Sequence, residues 1–276
     1  MSNYAIYQPA GKAAEYAEWA CNFYVGCSNG CTYCYLKKGR GAKVLGGDKP
    51  TLKKCFKDEY HALEVFEKEL KANLPELQEK GLFFSFSTDP MLLETIAMTY
   101  QAIVICLENN VNVKILTKKS DFIDLCMFEI DEFKHSSILD FPVRDKEKIV
   151  FGFTLTGKDE LEPGASTNAE RIEAMKKLHE AGFKTFASIE PIIDFGSSYK
   201  MIQETIGFCD LYKVGVESGK KYSQLELDEF IYNTLADTYE TNSKFYFKDS
   251  LLKAAGIERT QLSANCVTRD YNIFKQ

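Results

Sequence analysis

Long hydrophobic runs are missing from this chain. The longest, Ile103 to Leu107 with its neighbours, is far shorter than the roughly 20 residues that span a bilayer. The start, Met1-Ser-Asn-Tyr, has no basic segment followed by an apolar run, so no signal peptide is read. No membrane partner and a cytoplasmic location are therefore expected. An excess of positive charge is missing too. The net charge of −6 argues against a broad nucleic-acid surface. Histidine is scarce: His61, His135 and His179 lie among charged residues in helical pattern and read as surface positions rather than ligands or bases. No internal repeat, low-complexity segment or phosphate-cradling motif occurs, and Gly46-Gly47 reads as a flexible loop. Nine cysteines show no disulfide framework and suit a reducing compartment. With 45% apolar residues, 276 residues suffice for one domain with a short extension.

What is present is concentrated in Cys27-Ser-Asn-Gly-Cys31-Thr-Tyr-Cys34-Tyr35. Thiolates are soft ligands that suit iron–sulfur clusters or zinc. Three rather than four leave one iron of a [4Fe–4S] cluster open to a small molecule, as reactive metal sites require. Gly26 and Gly30 let the loop pass close to such a group. A zinc knuckle completed by a distant ligand, or three unrelated buried thiols, are the other readings of the same residues.

Along the chain, strand and helix patterns alternate. Strands are read at 20–25, 82–87, 111–116, 148–155, 183–189 and 211–216. Helices are read at about 58–70, 88–109, 121–134, 167–181 and 198–208, with Gly182 closing the fourth. A further helix starts at Thr32, and 39–50 reads as a loop. Six alternations with no hairpin signal predict a parallel sheet wound by βαβ units. Residues 1–20 are a lead-in, 21–217 the core domain, and 218–276 a helical extension with a short strand near Lys244 to Phe247.

C-x3-C-x2-C with Tyr33 before the last cysteine resembles the radical S-adenosylmethionine (SAM) superfamily. The stretch from Gly26 to Leu36 resembles its spore photoproduct lyase-like branch. Ser87-Thr88-Asp89-Pro90, Ile115 to Ser120, and Leu161-Glu162-Pro163-Gly164-Ala165 followed by Arg171 agree with that branch. The resemblance implies a partial (β/α)6 TIM-like barrel. It implies a [4Fe–4S] cluster on Cys27, Cys31 and Cys34, and SAM at the open iron. It further implies an electron donor such as flavodoxin or ferredoxin, and a radical reaction on a nucleotide or nucleic-acid base. A peptide or small metabolite is the alternative substrate; a non-catalytic zinc module is the alternative of another class.

Ligands of parallel α/β folds bind at the C-terminal strand ends. The cofactor-contact candidates there are Ser87, Thr88, Asp89, Lys118, Lys119, Thr154, Thr156, Glu190 and Glu217, with Tyr33 near the adenine. Ser87 to Asp89 stand where the superfamily places a Gly-Gly-Glu contact to the SAM amino group, which this sequence lacks. Lys118 or Lys119 would pair with the SAM carboxylate, and Thr154 or Thr156 would reach the ribose. Two catalytic candidates come from the resemblance: Tyr35 as a hydrogen-atom relay and Cys266 as a hydrogen donor. Of the other cysteines, Cys21, Cys106 and Cys126 read as core, while Cys55 and Cys209 match no motif. Lys37, Lys38, Arg40, Lys43, Lys49, Lys53, Lys54 and Lys57 form a basic segment, read as a solvated loop or as a rim for a phosphate-bearing substrate.

Overall fold

The computed structural model describes residues 4–39, 41–125, 128–131 and 134–275, without side-chain detail over 126–136. The chain forms two compact units. One comprises Met1–Val150 and Glu160–Ser166, the other Phe151–Asp159 and Thr167–Gln276.

The first unit begins with β1 (Ile6–Tyr7), antiparallel to β2 (Ala20–Cys21). The single strand expected at 20–25 is thus two: β3 (Tyr24–Val25) leaves the main sheet and pairs with β4 (Thr51–Leu52). The lead-in is fastened by one buried and one half-buried charge. Glu69 Oε2 accepts from Ala5 N at 2.9 Å and Ile6 N at 2.8 Å, and Lys53 Nζ donates to the Tyr4 carbonyl at 2.5 Å. Helix Glu59–Ala72 starts where the Asp58 carboxylate caps His61 N, and it buries Ala62, Phe66 and Leu70 at helical spacing. β5 (Leu82–Phe84) runs parallel to β2, and β6 (Val113–Thr117) parallel to β5. The helix expected from residue 88 starts only at Ile96 and ends at Glu108, because Asp89 and Thr95 bind loop backbone instead.

Two further corrections fall in this unit. Thr32 to Lys37 holds only one 3-10 turn, Tyr35–Lys37. In place of a helix over 121–134 stand a 3-10 turn, Asp121–Asp124, and a hairpin of β7 (Phe128–Asp131) and β8 (Lys134–Ser136). Phe128-Glu-Ile-Asp131 alternates apolar and acidic residues, which is the strand period. The side chains of Cys126 and His135, and Arg40 as a whole, lie outside the described residues.

β9 (Ile149–Thr154) begins in the first unit and continues in the second. It is buried throughout, matching its unbroken run of large residues around Gly152. A Cβ at Gly152 would lie 2.1 Å from the Phe186 ring. β10 (Lys184–Ile192), β11 (Leu211–Val216) and β12 (Lys244–Phe247) complete the second unit, β10–β11 and β11–β12 being parallel. Helix Asn168–Glu180 opens with a Thr167–Glu170 capping box, and helices Gln224–Asp237 and Asp249–Ala255 flank β12.

The main sheet has eight strands: β1-β2-β5-β6 leading into β9, then β9-β10-β11-β12. Six of them stand where six were expected. β12 is the short strand expected near Lys244 to Phe247, joined to the sheet beside β11; β1 is the addition, and no pairing closes a barrel among the described residues. No helix there is long and apolar enough to cross a membrane.

Candidate functional site

In the first unit the loop after β3 carries Cys27, Cys31 and Cys34. Gly26 (φ +84°) leads into it, and a Cβ there would lie 2.4 Å from the Lys49 carbonyl. Cys27 N donates to the Gly47 carbonyl at 3.0 Å. The Gly46-Gly47 segment is therefore a wall of the site rather than a free loop. The three cysteines, Asn29, Leu36 and Leu45 line one cavity of about 240 Å³.

Leu161 to Gly164 packs against the cysteine loop. Thr32 N donates to the Leu161 carbonyl at 3.0 Å, and Gly164 N donates to the Asn29 carbonyl at 2.9 Å. A Cβ on Gly164 would lie 2.3 Å from the Ser28 carbonyl, so glycine is what admits this approach. The Tyr33 hydroxyl donates to the buried Glu162 carboxylate, and Lys118 Nζ lies 5.6 Å from the Tyr33 ring centre.

Burial pushes the Cys27 thiol from 9.0 up to about 12, and the Asp89 carboxylate adds to the rise. Burial also raises Cys31, with Lys118 pulling the other way. Among the described residues no three His, Cys, Asp or Glu side chains converge as ligands of one metal ion. A cubane cluster does not need that, since each thiolate binds a different iron. Three thiols on one cavity, with glycines where the backbone closes in, fit such a group.

Asp89 is the hub behind the loop. Its Oδ1 accepts from Thr117 Oγ1 at 2.6 Å and Met91 N at 3.0 Å. Its Oδ2 accepts from Asn29 Nδ2 at 2.7 Å and Lys118 N at 2.8 Å. Ser87 Oγ donates to the Tyr24 carbonyl at 2.5 Å. The buried Thr88 hydroxyl and Asn29 Oδ1 have no hydrogen-bond partner among the described residues. Lys119 Nζ stands 3.9 Å from Asp121. Tyr35 is 64% exposed, and its hydroxyl donates to the Phe86 carbonyl. The basic segment is mixed: Lys53 is buried and Lys37 pairs with Asp48 at 2.5 Å, while Lys38, Lys43, Lys49, Lys54 and Lys57 are exposed.

In the second unit the candidates fall into separate settings. The Thr154 carbonyl accepts from the fully buried Arg171 at 2.5 Å. Thr156 N donates to Asn168 Oδ1 at 3.0 Å. Glu190 Oε2 pairs with Lys248 Nζ at 2.7 Å across β11, over Gly215, where a Cβ would meet both side chains. Glu217 N donates to the Tyr222 hydroxyl at 2.9 Å. Cys266 bridges to Phe245 in the sheet, with its thiol raised by burial and 3.8 Å from Ser263 Oγ. Cys21 and Cys106 are buried as expected, and Cys209 is buried as well. Sequence reasoning missed Asn29 and Lys248 and assigned Glu162 no part. Asn29 sits inside the motif, which is a usable signal; nothing marks Lys248 locally.

No family model matches the chain. An uncharacterized protein of Methanocaldococcus jannaschii is 28% identical over 203 residues, covering 71% of this chain and 69% of that one. A variant of spore photoproduct lyase with bound AdoMet and dinucleoside spore photoproduct superposes with a TM-score of 0.53 at 17% identity, over 85% of this chain. The chain spans 64% of that protein's length. Another spore photoproduct lyase variant gives a TM-score of 0.59 at 14% identity, over 87% of this chain and 78% of its own. The chain shares the α/β fold of these structures.

Proposed function

We propose that the chain is a radical SAM enzyme holding one [4Fe–4S] cluster on Cys27, Cys31 and Cys34. The observation that carries this reading is that all three thiols line one cavity. When bound, the cluster supplies an electron that cleaves SAM to methionine and a 5′-deoxyadenosyl radical, which takes hydrogen from the substrate.

The chain's own residues hold and shield. The Cys27–Gly47 and Asn29–Gly164 backbone hydrogen bonds keep the cysteine loop in shape. Lys118 is a cation whose charge is felt by both Cys27 and Cys31, which supports it as the partner of the SAM carboxylate. Thr88 has a buried hydroxyl free to bond a ligand. Iron uptake requires the thiols to ionise, so loading releases protons.

The substrate we propose is a nucleotide or nucleic-acid base. Support comes from the dinucleoside ligand of the structurally similar lyase and from the exposed lysines beside the cysteine loop. A flavodoxin or ferredoxin would deliver the electron in a cytoplasmic setting. Tyr35 and Cys266 are the proposed hydrogen-transfer residues.

The test is anaerobic reconstitution with iron and sulfide, followed by dithionite and SAM. Brown protein and 5′-deoxyadenosine are expected; colourless protein with one tight zinc would overturn the reading. Cys31→Ala is expected to lose SAM cleavage completely while keeping the wild-type circular dichroism spectrum. Replacing Lys38, Lys49 and Lys54 by Gln should weaken oligonucleotide binding severalfold and flatten its salt dependence; an unchanged salt slope would make the segment a solvated loop.

A further inference from the structure

Asp89 has four donors on its two oxygens, which fills an ionised carboxylate. A carboxylate of this kind only accepts. The Asn29 atom that faces it must therefore be the amide nitrogen, which fixes the orientation of that side chain. Its oxygen then points away from Asp89. Asn29 is 3% exposed, lines the cysteine cavity, and its Oδ1 is buried without a partner. Buried acceptors are rarely left so, because the lost hydration is not replaced.

Sulfur cannot supply the missing bond. Cluster sulfides and thiolates accept hydrogen bonds, as an amide oxygen does. Asn29 Oδ1 calls for an N–H or O–H donor beside the sulfurs. A cationic N–H gains most, since a charged donor strengthens the bond.

We propose that Asn29 Oδ1 accepts a hydrogen bond from the α-amino group of SAM. Asp89 is then a positioning residue that locks the Asn29 amide and does not touch the ligand itself. This rests on the cluster-and-SAM reading of the site. It moves the amino contact from the loop after β5, where Asp89 stands, to the cysteine loop itself.

The test uses full-length chain with an oxidised, reconstituted cluster, so that nothing turns over. Iron and sulfide per chain are measured first. Calorimetry then gives the affinity for S-adenosylhomocysteine and for its analogue lacking the α-amino group. Asn29→Ala is expected to load as the wild type does and to bind S-adenosylhomocysteine about tenfold more weakly, a typical loss for a charged hydrogen bond. Both proteins should bind the analogue equally. Asp89→Asn, which can no longer enforce the amide's orientation, should show the same selective loss.

Unchanged affinity in Asn29→Ala overturns the proposal, as does an equal loss on both ligands. Should Asn29→Ala take up no iron, Asn29→Ser is measured in its place. Unchanged affinity there, or a second failure to load, makes Asn29 purely a part of the loop's structure and overturns the proposal. A wild-type chain that takes up no iron overturns the cluster reading first, and this inference with it.

Discussion

The loops after β3, β5 and β6 in the first unit and the ends of β10 to β12 in the second place polar groups in opposite ways. In the first, Asp89 is saturated, yet its neighbours Asn29 and Thr88 keep buried polar atoms unspent. In the second, Glu190 and Lys248 close on each other across Gly215. One arrangement leaves buried polar atoms open to a ligand; the other has its principal charges already matched. Buried polarity by itself is therefore a weak marker of a site, and unspent buried polarity beside three thiols is a stronger one.

The contrast can be broken most sharply at Lys248, which is 1% exposed. Lys248→Met leaves the Glu190 carboxylate without its ammonium and should cost about 3 kcal/mol of stability. A Glu190→Gln, Lys248→Met double variant should recover most of the loss in thermal melts. If the single variant melts with the wild type, the pair is not what holds that region.

Gly164→Ala probes the first unit. Its Cβ would drive into the Ser28 carbonyl, forcing the Leu161–Gly164 wall off the cysteine loop. We expect a loss of about 1–3 kcal/mol together with reduced iron uptake. A fall in stability with full iron loading would mean that the wall is not needed to shape the cavity.

The smallest effect sharpens the comparison by titration. In cluster-free protein Cys27 is pushed up from 9.0 to about 12. The folded state thus keeps a proton that the unfolded chain releases near pH 9. That contribution to stability is whole below pH 9 and is lost as pH rises toward 12. At pH 8 alkylation of Cys27 by iodoacetamide should run well below the rate in urea-unfolded chain, and it should keep climbing beyond pH 10. A plateau near pH 9 would contradict the buried setting.

Much of this was legible beforehand. The six strand segments were readable because buried parallel strands are runs of large apolar residues, and Gly182 marked the end of the helix begun at Thr167. The cysteine spacing carried the centre of the site. Residues 121–134 misled because apolar positions there satisfy a helical count as well as alternation, and the hairpin pairing that decides between them is not a local property. Lys248 was invisible for a related reason. Its partner stands 58 positions away, and the gap it crosses exists because Gly215 has no side chain. Asn29 was in plain view inside the motif, but its meaning depends on where Asp89 lies in space.

The fastening of the first residues sets a practical limit on trimming. Tyr4, Ala5 and Ile6 lend backbone groups to the buried Lys53 and the half-buried Glu69. A protease that removed residues up to Tyr7 would take away only a short edge strand, yet it would leave a buried ammonium and a half-buried carboxylate without those partners. The damage would far exceed the length cut, so the thermal stability of a trimmed chain should report on those two side chains more than on the missing peptide.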